Sequence, residues 1–298
     1  MNEPASKRVI CFGEILWDSL PRGLFPGGAP MNVAYHLKQL GAQPLPISAV
    51  GCDPLGEELL RRLKVWQVDT AGIGLHPTKP SGLARVILAD GSPHFEIVED
   101  VAWDAIELSA ETLARALPCD AIVFGSLAQR TENNRRQLAT LLALCPKALK
   151  VFDVNLRPPY DSAEQVWALA QRADFIKLND QELIRLMNES VPTVAAEEAV
   201  RHFARRAGVT KVCLTAGAKG AGLLLDGEWF WAPARPAAVC DTVGAGDAFL
   251  AALLTGLLEA KAQPAEILHR ACRLAEFVVS QDGATPAYRV DAVGNVAA

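Results

Sequence analysis

The segment Asp241-Thr242-Val243-Gly244-Ala245-Gly246-Asp247 stands directly before a long apolar run, Ala248 to Leu258. Small residues at 244 to 246 let backbone N–H groups approach a ligand closely. A helix starting there supplies unpaired N–H groups and the positive end of its dipole. Together they make an anion hole suited to a phosphoryl group in transit. Asp247 stands at its mouth, where a carboxylate can orient an alcohol and accept its proton as a new P–O bond forms. The same letters also fit a plain glycine-rich turn with Asp247 as the helix N-cap. The pattern alone leaves both readings open.

Other candidates follow apolar runs. Asn155 and Arg157 come just after Lys150–Asp153 and should emerge at the carboxyl end of a strand, where open α/β sheets bind ligands. A guanidinium there can grip phosphate or carboxylate in bidentate fashion, or simply form a surface ion pair. Asn179 and Glu182 follow Phe175–Leu178 and offer the oxygen that Mg²⁺ requires, acting through water. Their spacing is also that of a capping box, and the two roles can coexist. Thr215, Gly217 and Gly220 form a turn after Lys211–Thr215, and Gly27 and Gly28 allow close backbone approach before a helix.

Elements that could position these residues alternate along the chain. Strands are expected at 9–12, 46–50, 121–124, 150–153, 175–178 and 211–215. Helices are expected at 31–40, 55–66, 133–144, 163–172, 197–207, 247–259 and 265–281. Strands spaced by helices imply parallel βαβ units and an α/β fold. Runs at 82–88 and 94–98 around Asp90-Gly91 break the rhythm and read as a hairpin, part of a small β lid together with 15–20. No Gly/Ser-rich linker and no internal repeat divides the chain.

Composition excludes several classes. A net charge of -5 without a long Lys/Arg run argues against nucleic acid and for small-molecule partners. The 248–258 run is about half of a bilayer span, and the polar N-terminus lacks a signal-peptide core, so a cytoplasmic protein without membrane contact is expected. Seven dispersed cysteines without a CxxC pair indicate neither a zinc site nor a disulfide framework.

The wording of five segments is more specific than their patterns. Asp241–Asp247 resembles the C-terminal signature of the ribokinase-like (PfkB) carbohydrate kinases. Gly27-Gly28-Ala29-Pro30-Met31-Asn32 resembles the N-terminal sugar motif of that family, and Asp153-Val154-Asn155-Leu156-Arg157-Pro158 the DxNxRP stretch of its fructokinase-like members. Asn179-Asp180-Gln181-Glu182 matches NxxE, and Thr215-Ala216-Gly217-Ala218-Lys219-Gly220 matches TxGxxG. The five occur in the family's order and cover roughly 9 to 286.

The resemblance implies a single ribokinase-like domain over 1–298. Its fold would be a three-layer α/β/α sandwich with a mostly parallel sheet and a lid from about 15–25 and 82–100. It implies ATP-dependent phosphorylation of a small carbohydrate, most like D-fructose to fructose 6-phosphate. A 2-keto-3-deoxygluconate kinase is the runner-up, because Arg157 could meet a sugar-acid carboxylate, and other sugar or nucleoside kinases come next. Asp247 would be the base and Gly244, Ala245 and Gly246 the anion hole. Asp18, Gly27, Gly28, Asn32, Asn155 and Arg157 would hold the sugar, with Asn32 offering both donor and acceptor to vicinal hydroxyls. Asn179, Thr215, Gly217 and Gly220 would face ATP, with 275–283 beside the adenine. Glu182 and Asn179 would serve Mg²⁺ through water. Relatives also bind a monovalent cation such as K⁺ near the anion hole, for which Asp241 and Val243 are the markers. A homodimer through the lid is a further expectation. An inactive sugar-binding regulator would lack Asp247, Gly244 or Gly246, and all three are present. A dinucleotide oxidoreductase would show GxGxxG after the first strand, which is absent.

Overall fold

The computed structural model describes residues 6–20, 23–89, 92–188, 196–259, 262–290 and 296–297. Its centre is a nine-stranded sheet. The parallel part contains β1 (Arg8–Phe12), β4 (Gln43–Gly51), β5 (Ile73–His76), β8 (Ala121–Gly125), β9 (Leu149–Asp153), β10 (Phe175–Asn179) and β11 (Lys211–Thr215). The spatial order runs β11-β10-β9-β8-β1-β4-β5. An antiparallel hairpin, β12 (Ala221–Leu225) and β13 (Glu228–Ala232), extends the β11 edge. Strands buried on both faces read as continuous apolar runs, which is why Val9–Phe12 and Ala121–Phe124 carry no alternation.

Two cores sandwich the sheet. One face packs against α1 (Ala29–Gln39), α2 (Pro54–Val65), α8 (Ala245–Glu259) and α9 (Pro264–Val279). A short α3 (Ala110–Ala116) precedes β8. The other face packs against α4 (Glu132–Leu144), α5 (Ala163–Ala170), α6 (Asp180–Met187) and α7 (Ala196–Ala207). This is the expected three-layer α/β/α sandwich. Helix α8 carries no charge between Asp247 and Glu259, as suits a helix covered on several sides. Gly256 lets it meet α9 closely, since a Cβ there would come within 2.6 Å of the Ile267 side chain.

A second sheet has four strands: β2 (Leu16–Leu20), β3 (Gly23–Gly27), β6 (Gly82–Ala89) and β7 (Ser92–Ile97), ordered β3-β2-β6-β7. The expected hairpin is thus present as antiparallel β6 and β7. Its Asp90-Gly91 tip, like residues 21 and 22 of the expected lid, lies outside the described residues.

The sequence periodicity does not anticipate β3, β5, α3, α6 or the β12–β13 hairpin. The hairpin's signal was present: Asp226 (φ 48) and Gly227 (φ 94) both take left-handed backbone, as a two-residue hairpin turn demands. The chain enters at β1, steps to β4 and β5, and returns to β8 on the other side. Loops leaving β1 and β8 therefore part at their carboxyl ends and open a crevice.

Candidate active site

Helix α8 starts at Ala245, two residues before the start that periodicity suggests. Asp247 is therefore in the first turn and not an N-cap; its Oδ2 accepts a hydrogen bond from Asn32 Nδ2 at 2.8 Å instead. Gly244 precedes the helix with φ 77, and its carbonyl takes the first helical bond, from Ala248 N at 2.9 Å. The N–H groups of Gly246 and Asp247 have no intrahelical acceptor there. Ala245 N is only loosely engaged, 3.4 Å from Thr242 O. The anion hole expected from 244–247 thus rests chiefly on two amides and the dipole of a 15-residue helix.

Asn32, which anchors Asp247, is buried in the first turn of α1. The turn before it is tight. A Cβ on Gly27 would fall on the Asp18 carboxylate, and one on Gly28 would fall 2.4 Å from the Glu14 carbonyl. Both glycines are required by close approach, and they bring Asp18, Glu14, Asn32 and Asp247 to one crevice.

Burial raises the pKa of all three carboxyl groups. Asp247 is pushed up to about 6 by burial and by Asp153, against the opposing pull of Lys177, Asn32 and Arg157. Asp18 rises to about 6 through burial, with Arg157 opposing and Asp241 adding. Glu14 rises to about 7 through burial, opposed by hydrogen bonds and Arg157. Arg157 is exposed, donates to its neighbour Leu156 O at 2.9 Å, and pairs with no carboxylate among the described residues. It is a cation at the crevice with its fork open.

The remaining expected residues line the carboxyl edge of the sheet. Asn179 and Glu182 do form the capping box: Asn179 Oδ1 accepts from Glu182 N and Glu182 Oε2 accepts from Asn179 N, both at 2.8 Å. Glu182 Oε1 also accepts from Leu156 N at 2.9 Å, which fixes the loop carrying Asn155 and Arg157. Asn155 turns that loop with φ 40, and its carbonyl accepts from Ser126 Oγ at 3.2 Å. Thr215 lies across from Asn179 in the parallel register. Gly220 is confined by the Ala232 carbonyl, whereas Gly217 (φ 53) faces open space. Asp241 ties two loops, accepting from Val243 N at 3.0 Å and Gly283 N at 3.3 Å. Helix α9 ends beside this turn, where Cys240 N donates to Val279 O at 2.9 Å. Among the described residues no three His, Cys, Asp or Glu side chains gather as a metal cage. The donors fit a Mg²⁺ held mainly by nucleotide phosphates and water, with Glu182 and Asn179 beyond that water.

Three functional-looking residues have no role assigned from sequence: Glu14, Lys177 and Asp153, the last named only as the opening of the DxNxRP stretch. Glu14 interrupts an apolar stretch, and its buried Oε2 lacks a partner among the described residues while Oε1 accepts from Ala29 N at 3.3 Å. Lys177 stands inside the buried strand Phe175-Ile176-Lys177-Leu178, and Asp153 ends the adjacent one. A charge within a strand otherwise apolar was the available signal, since such side chains are buried only when paired.

An open helix N-terminus beside a half-buried carboxylate, at the carboxyl ends of a parallel sheet, is the equipment of a small-molecule kinase. Residues 22–290 match the model of the pfkB family carbohydrate kinases. An uncharacterized sugar kinase of Pyrococcus horikoshii is 32% identical over 245 residues, covering 79% of this chain and 74% of that one. A fructokinase of Rhizobium leguminosarum bv. trifolii is 28% identical over 84% of this chain and 79% of its own. The solved structure of Xylella fastidiosa fructokinase with bound ATP superposes with a TM-score of 0.80 at 25% identity, covering 94% of both chains. The chain belongs to the pfkB family: it is a carbohydrate kinase.

Proposed function

We propose that this kinase is a fructokinase, moving the γ-phosphate of ATP to D-fructose to give fructose 6-phosphate. The observation that carries the reading is Asp247: a half-buried carboxylate held by Asn32 in the helix turn whose amides are open. Fructokinase relatives at about 28% identity and an ATP-bound fructokinase of the same fold support the substrates.

In the proposed reaction the sugar lies among Asp18, Gly27, Gly28, Asn32, Asn155 and Arg157. Its hydroxyl donates to Asp247, whose pKa of about 6 leaves it ionised at neutral pH. As oxygen attacks the γ-phosphorus, the proton passes to Asp247 and ADP leaves. The amides of Gly246 and Asp247, with Ala245, receive the developing charge on the phosphoryl oxygens. Thr215, Gly217 and Gly220 face the nucleotide, with 275–283 on the adenine side. Mg²⁺, when bound, neutralises phosphate charge; Glu182 and Asn179 are its supports. Asp241 and Val243 are the oxygen donors offered to a monovalent cation. The four-stranded sheet works as the lid of this single domain, excluding water, and its edges β3 and β7 offer a route to a homodimer.

A second reading, phosphorylation of a 2-keto-3-deoxy sugar acid, is favoured by the open fork of Arg157 at the crevice. An ADP-release assay over fructose, ribose, ketodeoxygluconate, mannose and adenosine separates the readings. Fructose should give the highest kcat/KM. Activity confined to the sugar acid would replace the first reading by the second, and no activity on any would favour a sugar-binding regulator. Asp247→Asn should lose about 10³-fold or more in turnover while ATP still binds, because the amide oxygen can still accept a hydrogen bond but cannot take the proton.

A further inference from the structure

A cation is buried beneath the transfer site. On β10, Phe175 packs into the α8-side core while Ile176 and Leu178 pack into the other, so Lys177 projects toward α8. On β9, Val151 and Phe152 divide in the same way and send Asp153 to the α8 side. The parallel register sets Lys177 against Asp153, and Lys177 Nζ donates to both carboxylate oxygens at 3.0 and 3.1 Å. The two side chains are 8% and 4% exposed. A Cβ on Gly246 would lie 3.0 Å from Nζ, so the ammonium sits directly under the first turn of α8. Gly246 therefore makes room for a cation as well as opening its amide to a ligand.

The charges around it do not balance. Lys177 acts on Asp153 from β9, Glu182 from α6 and Asp247 from α8. Burial alone would depress its pKa, but those three carboxylates outweigh it and the net direction is upward. Asp247 also feels Arg157 from the loop after β9, and it acts on Glu14 from the loop after β1. Without the ammonium, a phosphoryl group arriving at the helix would meet Asp153, Glu182 and Asp247 with only the exposed Arg157 to oppose them.

We propose that Lys177 is a positioning residue of phosphoryl transfer: fixed by Asp153 beneath the Gly244–Asp247 turn, its ammonium keeps Asp247 charged and offsets the carboxylate field at the incoming phosphate. The inference rests on the reading of Asp247 as the base, and its test separates the two. Profiles of kcat/KM against pH are measured for the full-length enzyme and for Lys177→Met, Lys177→Arg, Asp153→Asn and Asp247→Asn. Lys177→Met should move the acid limb upward by about one pH unit or more, with a loss at pH 7 of about 10-fold or more that is partly recovered at pH 9. Lys177→Arg, which keeps the charge, should leave the limb near wild type. Asp153→Asn should move it downward, because that carboxylate raises Asp247 and otherwise engages the ammonium. If Lys177→Met does not fold, the Arg and Asn variants still carry the test. An acid limb unmoved in Lys177→Met, or moved upward in Asp153→Asn, overturns the role of Lys177 alone, provided Asp247→Asn is inactive. An active Asp247→Asn overturns the base assignment and this inference with it.

Discussion

Replacing Gly244 by alanine perturbs the anion hole without touching a charge. The residue has φ 77, where an L side chain costs about 1–2 kcal/mol. The new Cβ would lie 2.5 Å from Ala284 Cβ and 2.6 Å from Ala284 Cα. An ordinary contact needs nearly 1 Å more, and the obstacle is backbone that cannot swing aside. Ala284 is also pinned, because its carbonyl accepts from His36 Nε2 at 2.9 Å. Overpacking of this kind adds about 1–3 kcal/mol, so Gly244→Ala should lose about 2–5 kcal/mol in urea unfolding. The softer partner is the first turn of α8. A shift of that turn by a fraction of an ångström should cost about 100-fold in kcat in the ADP-release assay. Gly208→Ala is the control: its φ is 75, but nothing lies within 4 Å of the added Cβ. It should lose about 1 kcal/mol and keep turnover within a few-fold. Equal behaviour of the two variants would refute the argument that Ala284 sets the position of the anion hole.

Two further outcomes follow from titrating groups that are buried or half-buried. Glu14, Asp18 and Asp247 have folded pKa values raised to about 7, 6 and 6, so the native state binds their protons more tightly than the unfolded chain. That contribution is full below the unfolded carboxyl range and disappears as pH rises through 6 to 7. The ligand-free protein should gain about 1–2 kcal/mol between pH 8 and pH 6, read by urea unfolding at each pH, and a flat profile contradicts it. His36 is buried with its pKa lowered to about 4, so it is neutral at pH 7. Its Nε2–H donates to Ala284 O and its Nδ1 accepts from Tyr288 O–H at 2.9 Å. His36→Leu strands both partners and should cost about 2–4 kcal/mol, with a calorimetric loss below 1 kcal/mol counting against that link between α1 and the C-terminal loop.

Much of the site was legible in short segments, because its chemistry uses backbone. Asp241–Asp247 and Thr215–Gly220 are turns that local sequence dictates, with the amides our proposal uses, and the βαβ rhythm fixed which end of the sheet they occupy. Local sequence also misplaced the start of α8 by two residues, since small residues have no periodicity to read. The hairpin β12–β13 was overlooked although Asp226-Gly227 marked it. What local sequence could not supply was proximity between distant segments. Asn32 meets Asp247 across 215 positions, Lys177 meets Asp153 across 24, and His36 meets Ala284 across 248. The sequence by itself determined most of the parallel strands and their helices, the glycine-lined turn before α8 and the acid that we propose as its base. Only the tertiary structure decided that this half-buried acid stands beside buried Glu14, Asp153 and Lys177, because electrostatic environment depends on distances that strand register and helix packing create.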